Sequence, residues 1–334
     1  MDLVTSNGMN VFSFAADWAD LEPSPGVFAL HDPLVNPLTL LLPDYPQIKG
    51  VTFVLKMIDT NTRPMPPDLR ARSFGDPEVV SRFEALIDAI AAEPASGRIT
   101  HLLLGNEVDG YLSQHPEELP AFGVFYQRAV ERIHARLPAA RVSTIVTFAS
   151  LTGHPEVFDR LDPAGDFSCF TYYPTAPDTV AGAWQMRLVA EIGADIDFMS
   201  RQADGKPFAF TEIGYSASPV NGSSEERQAE FVRAMFRALN VYAGTGRLAF
   251  LLYHALYDYP PDACGPYAQA QGVPPVALCS FMGNLGLRRY DTGEAREAWG
   301  AFVEGVRSLA LPGAPVRRGC PTAVCSPSFR PTRR

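Results

Sequence analysis

Two glutamates stand at the ends of apolar, strand-length runs of the sequence. Glu107, preceded by Asn106, closes the run 99–107, and Glu212 lies near the end of the run 207–215. Burying an ionised carboxylate is costly unless it is paired, so acidic residues in such places indicate a functional site. Two carboxyl groups at one rim could serve as general acid/base and nucleophile, the combination that cleaves acetals.

Apolar, β-branched and aromatic residues are concentrated in seven strand-length runs separated by longer stretches. This alternation is typical of βα units around a parallel sheet, and it predicts an α/β fold of the (β/α)8 TIM-barrel class. No composition shift divides the chain before about residue 312, so we expect a barrel domain at 1–311 and a Pro/Arg-rich tail at 312–334. The predicted strands are 9–17, 49–59, 99–107, 141–149, 166–174, 207–215 and 247–256.

Several stretches between the strands have the pattern of amphipathic helices. Asp76 and Pro77 are typical of an N-cap and a first helical residue, and Ser223 with Glu226 has the spacing of a capping box. We interpret the apolar faces of these helices as packing surfaces. They are predicted within 79–90, 122–137, 231–239 and 295–306.

A closed eight-stranded barrel has no free edge, so seven predicted strands leave one unit unaccounted for. The segment 2–10 resembles the last turn of a helix with Gly8 as its C-cap, and it leads directly into the strand at Met9. We therefore expect strand 1 and most of helix 1 to lie upstream of this chain; a native open barrel is the alternative. The strands that carry Glu107 and Glu212 then become the fourth and the seventh.

Further motifs follow these glutamates in a fixed order. Asn106-Glu107 ends one strand, Tyr172-Tyr173-Pro174 comes two strands later, and Glu212 lies on the next strand, while the segment 18–26 contains a Trp, a Glu-Pro pair and a Pro-Gly pair. TIM-barrel enzymes carry their catalytic groups at these C-terminal strand ends. The order resembles clan A of the glycoside hydrolases over about residues 9–305, and the Tyr-Tyr-Pro motif resembles endo-β-galactanases.

The resemblance implies a retaining, double-displacement glycosidase. Glu107 would be the acid/base and Glu212 the nucleophile, with the two carboxyl groups about 5–5.5 Å apart. The acid/base would need a raised pKa to keep its proton, while the nucleophile stays ionised. Asn106 would bind the 2-hydroxyl of the sugar, and Tyr172 or Tyr173 would donate a hydrogen bond to the nucleophile.

Five other residues are candidates for binding substrate. Trp18 could form a wall on which a sugar stacks, or it could simply pack in the core. Asp17 and Asp59, at strand ends, could bind sugar hydroxyls, or they could be solvated or capping carboxylates. Clan members often have a tryptophan on strand eight, where this chain has His254 and Tyr257, which could replace it or be packing residues.

Composition limits the partners and cofactors. With 28 Lys+Arg against 37 Asp+Glu, the net charge of −9 provides no basic face for nucleic acid or anionic lipid, and no apolar run is long enough to span a membrane. We expect an oligo- or polysaccharide partner, no nucleic acid, no membrane, and no cofactor or metal. The alternatives are a non-catalytic glycan-binding barrel and a metal-dependent sugar isomerase, whose ligands would be Glu107, Glu212, Asp59 and His254.

The five cysteines bear on the cellular compartment. Cys264 and Cys279 bracket a loop, Cys320 and Cys325 bracket a turn in the tail, and Cys169 lies in a strand. Two disulfides and one buried thiol would suit a secreted or periplasmic protein, whereas five unpaired thiols would suit the cytoplasm. The first ten residues lack a signal peptide, but such a segment would be lost together with strand 1.

We predict that the long segment 259–282 is a lid or subsite wall.

Overall fold

The computed structural model describes residues 1–180, 182–309 and 324–325, with the backbone alone at 32–36, 177–178 and 324–325. These residues form two compact units. The first unit contains residues 10–171 and 206–209, and the second contains residues 1–9, 172–205 and 210 onward. The predicted boundary at residue 312 and Cys320 fall outside the described residues.

The first unit contains a parallel sheet of four strands in sequence order. The strands β1 to β4 are Val11–Asp17, Gly50–Asp59, His101–Asn106 and Arg141–Ser143. A second parallel pair joins β5, Ile145–Thr147, to residues 169–171 of β6, Ser168–Tyr172. Most residues of β2 and β3 are buried, as expected for a parallel sheet covered on both faces.

Helices cover the strands of the first unit. Asp76 caps α3 by accepting a hydrogen bond from the backbone N–H of Glu78 at 2.8 Å, and Pro77 is the first helical residue, as predicted. Phe83 of α3 packs edge-on against Phe125 of α5, with ring centroids 4.9 Å apart. The helices of this unit are α2 Trp18–Leu21, α3 Pro77–Ala92, α4 Val108–Gln114, α5 Leu119–Arg136, α6 Ser150–Gly153 and α7 Pro155–Leu161, with a π-helical segment at His31–Leu41 and 3₁₀ turns at Leu42–Asp44, Ser96–Arg98, Pro116–Glu118 and Asp162–Ala164.

The second unit combines an antiparallel hairpin with parallel strands. The hairpin consists of β7, Thr175–Val180, and β8, Ala183–Met186. β9, Phe208–Ile213, begins in the first unit and lies beside β10, Leu248–Tyr253, which pairs in parallel with the short β11, Val324–Cys325. The helices are α1 Asp2–Thr5, α8 Ile192–Gln202, α9 Glu225–Leu239, α10 Pro261–Ala270, α11 Pro275–Met282 and α12 Glu297–Ser308, with 3₁₀ turns at Val189–Glu191, Pro219–Asn221 and Asn240–Tyr242.

All seven predicted strands are present, and one of them is divided. The run 141–149 splits at Thr144 into β4 and β5. The Thr144 hydroxyl donates to the backbone carbonyl of Leu104 at 2.7 Å, so this residue is anchored by its side chain to the neighbouring strand. The predicted helical turn before Met9 is also present: α1 is followed by Gly8 with φ 90°, and the Met9 N–H bonds back to the Val4 carbonyl at 3.2 Å.

The N-cap of α9 differs from the prediction by one residue. Ser224, not Ser223, accepts the hydrogen bond of the capped turn, from the N–H of Arg227 at 3.3 Å. Ser223 belongs to the preceding turn, where its N–H donates to the Ser218 carbonyl at 3.1 Å. Two adjacent serines offer the same local cap, and this turn decides between them.

Cys264 of α10 and Cys279 of α11 form the predicted disulfide, which joins the two helices of segment 259–282. Cys169 is buried in β6, as predicted. Within the described parts of the chain, no helix combines the length and apolar character needed to cross a membrane.

Candidate active site

Glu107 follows the last residue of β3 and precedes the first residue of α4. It adopts a left-handed conformation with φ 45° and ψ 49°. The Thr60 hydroxyl donates to its Oε2 at 2.9 Å and the Thr171 hydroxyl to its Oε1 at 2.7 Å. A non-glycine residue with positive φ is uncommon and is kept there only by its surroundings. The backbone turn and two hydroxyls therefore fix the Glu107 carboxylate.

Thr60, which contacts Glu107, has a positive φ of its own. Its φ is 50°, an outlier for a β-branched residue, and its N–H donates to the Asn106 carbonyl at 2.9 Å. Gly110 of α4 lies against this turn, because a Cβ at position 110 would be 2.6 Å from the Thr60 carbonyl oxygen. A side chain at position 110 would therefore push the turn away from α4, and Thr60 away from Glu107.

A row of polar contacts, here called the Asp17–Asn106 network, crosses the ends of β1, β2 and β3. Asn106 Nδ2 donates to Asp59 Oδ1 at 3.1 Å, and Lys56 Nζ lies 2.8 Å from Asp59 Oδ2 and 2.8 Å from Asp17 Oδ1. Burial lowers the pKa of Lys56, but attraction to Asp59 and hydrogen bonding to Asp17 outweigh it, so the pKa is raised. Lys56 therefore stays charged between the two carboxylates.

In the second unit, Glu212 lies on β9 and is half-buried. The phenol of Tyr173 donates to Glu212 Oε2 at 2.5 Å. Tyr172 does not take part, because its phenol donates instead to buried Asp195 at 2.6 Å, and burial together with this carboxylate raises the pKa of Tyr172. Consecutive residues of an extended chain point to opposite sides, so only one of the two tyrosines can reach Glu212.

Tyr173 is enclosed by aromatic rings. The ring of Phe281, from α11, meets Tyr173 edge-on at 5.3 Å, and Trp184 of β8 meets Phe281 at 5.6 Å. The ring of His254 lies 6.4 Å from Tyr173. Phe281 belongs to the predicted lid segment 259–282, so this segment supplies a ring that packs on Tyr173. The disulfide joins α11, which carries Phe281, to α10 of the same segment.

Gly214, just after β9, lets two parts of this unit come close. A Cβ there would be 2.4 Å from the carbonyl oxygen of His254 and 3.2 Å from Cε1 of Tyr173. The backbone contact cannot relax by a side-chain movement. Gly214 is therefore needed where the strand end meets Tyr173 and His254.

The prediction that Trp18 forms a sugar-stacking wall is wrong. Trp18 is fully buried, its indole N–H donates to Glu22 Oε2 at 2.8 Å, and its ring packs edge-on against Phe83 at 5.3 Å. Glu22, also fully buried, accepts a second hydrogen bond from Arg82 at 2.8 Å. These partners hold the Trp18 loop against α3, so the packing alternative is the correct one.

The other predicted residues fall into two groups by their contacts. One group consists of Asp17, Asp59 and Asn106, which share the Asp17–Asn106 network. Within this group, Asp59 and Asn106 also lie beside the Thr60 turn. His254 contacts Tyr173, while the backbone of Tyr257 bridges to Arg288 beyond the end of β10. Within the described residues, no group of three or more His, Cys, Asp or Glu side chains is arranged to hold a metal ion.

Four residues that contact the predicted site residues were not identified from the sequence: Lys56, Thr60, Thr171 and Phe281. Thr171 had a usable signal, because it lies two residues before Tyr173 and so shares a face with it along an extended chain. Lys56 had another, as a charge in the interior of a mostly apolar strand. The roles of Thr60 and Phe281 depend on contacts that no local pattern encodes.

Comparison with known proteins gave structural matches only. No protein-family model matches the sequence, and no curated protein matches it. An exo-beta-1,4-mannosidase from Opitutaceae bacterium strain TAV5 is 20% identical, with a TM-score of 0.68 over 91% of this chain and 53% of its own. A GH5_18 variant from Streptomyces cattleya in complex with Manb1-4GlcNAc is 17% identical, with a TM-score of 0.65 over 90% and 72% of the two chains. The GH53 catalytic domain from Ignisphaera aggregans is 14% identical, with a TM-score of 0.59 over 89% and 86%.

These likenesses show the fold. The chain has the TIM-barrel fold of these GH5 and GH53 enzymes, which confirms the predicted fold class. The chain spans about half the length of the mannosidase, 53%.

Proposed function

We propose that the protein is a retaining glycoside hydrolase in which Glu212 is the nucleophile and Glu107 the acid/base. The observation that carries this proposal is the 2.5 Å hydrogen bond from Tyr173, which follows β6, to Glu212. The resemblance to clan A implies such a hydrogen bond from a tyrosine to the nucleophile. The TIM-barrel fold, shared with known glycosidases, supports it.

In the first step, Glu212 attacks the anomeric carbon while Glu107 gives its proton to the departing oxygen. The carbon–oxygen bond to the leaving group breaks, and an ester forms between the sugar and Glu212. With Oε2 engaged by Tyr173, Oε1 is the oxygen that attacks. In the second step, Glu107 takes a proton from water, and the water oxygen displaces Glu212 from the sugar.

The hydroxyls of Thr60 and Thr171 suit the two states of Glu107. A hydroxyl can donate to a carboxylate and can accept from a carboxylic acid, so the same pair can hold Glu107 before and after proton transfer. An ammonium group in their place would favour the carboxylate alone. The setting of Glu107 therefore fits a group that gives and takes a proton in each cycle.

We infer that the substrate is a β-linked oligo- or polysaccharide. One structural neighbour is described as an exo-beta-1,4-mannosidase and another as a complex with Manb1-4GlcNAc, so β-mannosides are the first compounds to test. Asn106 would bind the sugar 2-hydroxyl, and Asp17, His254 and Tyr257 would contact other parts of the substrate. Because the Cys264–Cys279 disulfide persists best in an oxidising compartment, we propose that the protein is secreted or periplasmic.

The test compares wild type with Glu107→Ala and Glu212→Ala on aryl β-glycosides, β-mannosides included, and on polysaccharides. Glu117→Ala serves as the control, since its side chain is 70% exposed. Each active-site variant should lose at least about 10³-fold in kcat, while the control keeps wild-type rates.

Azide distinguishes the two roles. In Glu107→Ala, azide should attack the glycosyl-enzyme and give a β-glycosyl azide, whereas in Glu212→Ala it should attack the substrate directly and give the α-azide. Hydrolysis that survives either substitution would contradict the proposal. Saccharide binding by a wild-type protein with no turnover would favour the glycan-binding alternative.

A further inference from the structure

The end of β2 pairs irregularly with β3. Leu55 lies opposite Leu104, but the next paired residues are Asp59 and Asn106, so β2 uses more residues than β3 over this interval. Such bulges re-aim side chains and are common beside active sites. Here the irregularity brings Asp59 level with Asn106, next to Glu107.

The contact between Asp59 and Asn106 has only one favourable orientation. An ionised carboxylate can only accept, so the amide of Asn106 must turn its Nδ2 toward Asp59 Oδ1, as found at 3.1 Å. A flipped amide would place two acceptor oxygens against each other. The backbone of Asn106 is held as well, because its carbonyl accepts from the Thr60 N–H at 2.9 Å.

Asp59 itself is held from its other side. Lys56 Nζ lies 2.8 Å from Asp59 Oδ2, and Asp17 binds the same ammonium group at 2.8 Å. The exposed fraction of the side chain is 13% for Asp59 and 34% for Asp17. Asp59 is therefore enclosed with both oxygens engaged, while Asp17 keeps access to solvent.

We propose that Asp59, clamped by Lys56, is a positioning residue that sets which atoms of the Asn106 amide face the sugar 2-hydroxyl. This inference rests on the proposed function and deepens it. Asn106 Oδ1 and its second N–H are presented to the substrate, because the first N–H is fixed on Asp59. The sequence prediction that Asp59 binds sugar directly is replaced by an indirect role, and Asp17 remains the candidate for direct contact.

The kinetic test pairs Asp59→Asn with two substrates, an aryl β-glycoside and its 2-deoxy analogue. A neutral residue 59 lets the Asn106 amide flip, so we expect kcat to fall by about 10- to 100-fold on the first substrate with KM nearly unchanged. On the 2-deoxy substrate, which lacks the group that Asn106 would bind, the same substitution should cost less than about 3-fold. Lys56→Met keeps the Asp59 carboxylate but removes the group that clamps it, so it should show the same pattern with a smaller loss. Glu117→Gln is the control on the exposed surface.

A second measurement needs no turnover. In protein labelled with ¹⁵N-asparagine, the side-chain signal of Asn106, assigned by its loss in Asn106→Ser, should move in Asp59→Asn and in Lys56→Met. It should stay in place in Glu117→Gln.

The outcomes separate the two proposals. Equal losses on both substrates, or an Asn106 signal that ignores Asp59→Asn, would overturn the positioning role while leaving the glycosidase proposal intact. Hydrolysis that survives Glu107→Ala would overturn the glycosidase proposal, whatever the Asn106 signal does.

Discussion

The surroundings of Glu107 and of Glu212 differ in kind. Glu107 is held by two threonine hydroxyls beside a network of charges, on backbone with positive φ. Glu212 receives a phenol that is itself packed among Phe281 and His254. Hydroxyl groups can donate to a carboxylate and accept from a carboxylic acid, so they can bind Glu107 in both protonation states. Aromatic packing instead fixes the Tyr173 phenol as a donor in one position beside Glu212. The contrast matches the proposed roles, one group that changes its protonation and one that keeps a fixed orientation.

Apart from the two glutamates themselves, the largest effect should come from removing the phenol beside Glu212. Tyr173→Phe should lower kcat by about 10²- to 10³-fold with little change in KM, because the phenol is a preorganised donor that holds the Glu212 carboxylate through Oε2 while Oε1 attacks. Tyr172→Phe is the matched control, because it removes a buried phenol bound to Asp195 instead. The control should lose thermal stability but keep its kcat. Similar kcat losses in the two variants would show that the Tyr173 hydrogen bond has no special role.

The disulfide should matter for the stability of the second unit. Cys264 and Cys279 are 15 residues apart, and closing a loop of about this size stabilises a fold by roughly 3 kcal/mol. We expect the double variant Cys264→Ser, Cys279→Ser to unfold at lower urea concentration, with a modest loss of kcat as Phe281 loosens from Tyr173. Reducing agent should reproduce the shift in wild type and leave the double variant unchanged. A reducing agent that alters both proteins equally would contradict this reading.

Acid should weaken the first unit through His101, at the start of β3. Burial, with a contribution from Arg141, lowers the pKa of His101 from 6.5 to about 4. Between these values the unfolded chain binds the proton and the native chain does not, so stability falls as the pH drops from about 6.5 to 4. The loss should reach roughly 3 kcal/mol, since one pKa unit corresponds to about 1.4 kcal/mol.

Urea unfolding at several pH values checks this. His101→Gln should show a smaller acid-induced loss than wild type, and His115→Gln, whose ring is 44% exposed, should match wild type. If His101→Gln lost stability with acid as steeply as wild type, the burial of this ring would not be the cause.

The smallest effect concerns the hydroxyls on Glu107. Thr171→Val should slow hydrolysis about 10-fold when the leaving group is a sugar, because such a group needs the proton that Glu107 gives. With a dinitrophenyl leaving group, which departs without a proton, the loss should nearly vanish. Thr171→Ser keeps the hydroxyl and should restore the rate. A loss independent of the leaving group would place Thr171 outside acid catalysis.

Local patterns predicted most of the architecture. The apolar runs, the cap at Asp76 and the helical turn before Met9, with Gly8 at positive φ, depend on near neighbours in the sequence, and the structure confirms them. The split at Thr144 depends on Leu104, 40 residues away, so no window of local sequence contains it. Ser223 and Ser224 both satisfy the same local rule, so the sequence alone does not decide which of them caps α9.

The candidate site was harder to predict for a related reason. The sequence does not distinguish a tryptophan that faces a sugar from one that packs in the core. The burial of Trp18 depends on two residues of α3: Arg82, which binds Glu22, the partner of the indole N–H, and Phe83, which packs against the Trp18 ring. Asp59 reaches Asn106 because of an irregular pairing, which alternation alone does not reveal. The choice between Tyr172 and Tyr173 likewise required the partner of each phenol.

The most direct test of the central claim is to trap the proposed ester on Glu212. A 2-deoxy-2-fluoro glycoside with a dinitrophenyl leaving group should form this ester quickly and hydrolyse it slowly, since fluorine disfavours both transition states and the leaving group speeds only the first. After proteolysis, mass spectrometry should find one glycosyl adduct per chain, on the peptide that contains Glu212. An adduct on a peptide without Glu212, or steady hydrolysis to an inverted sugar with no adduct, would contradict the account.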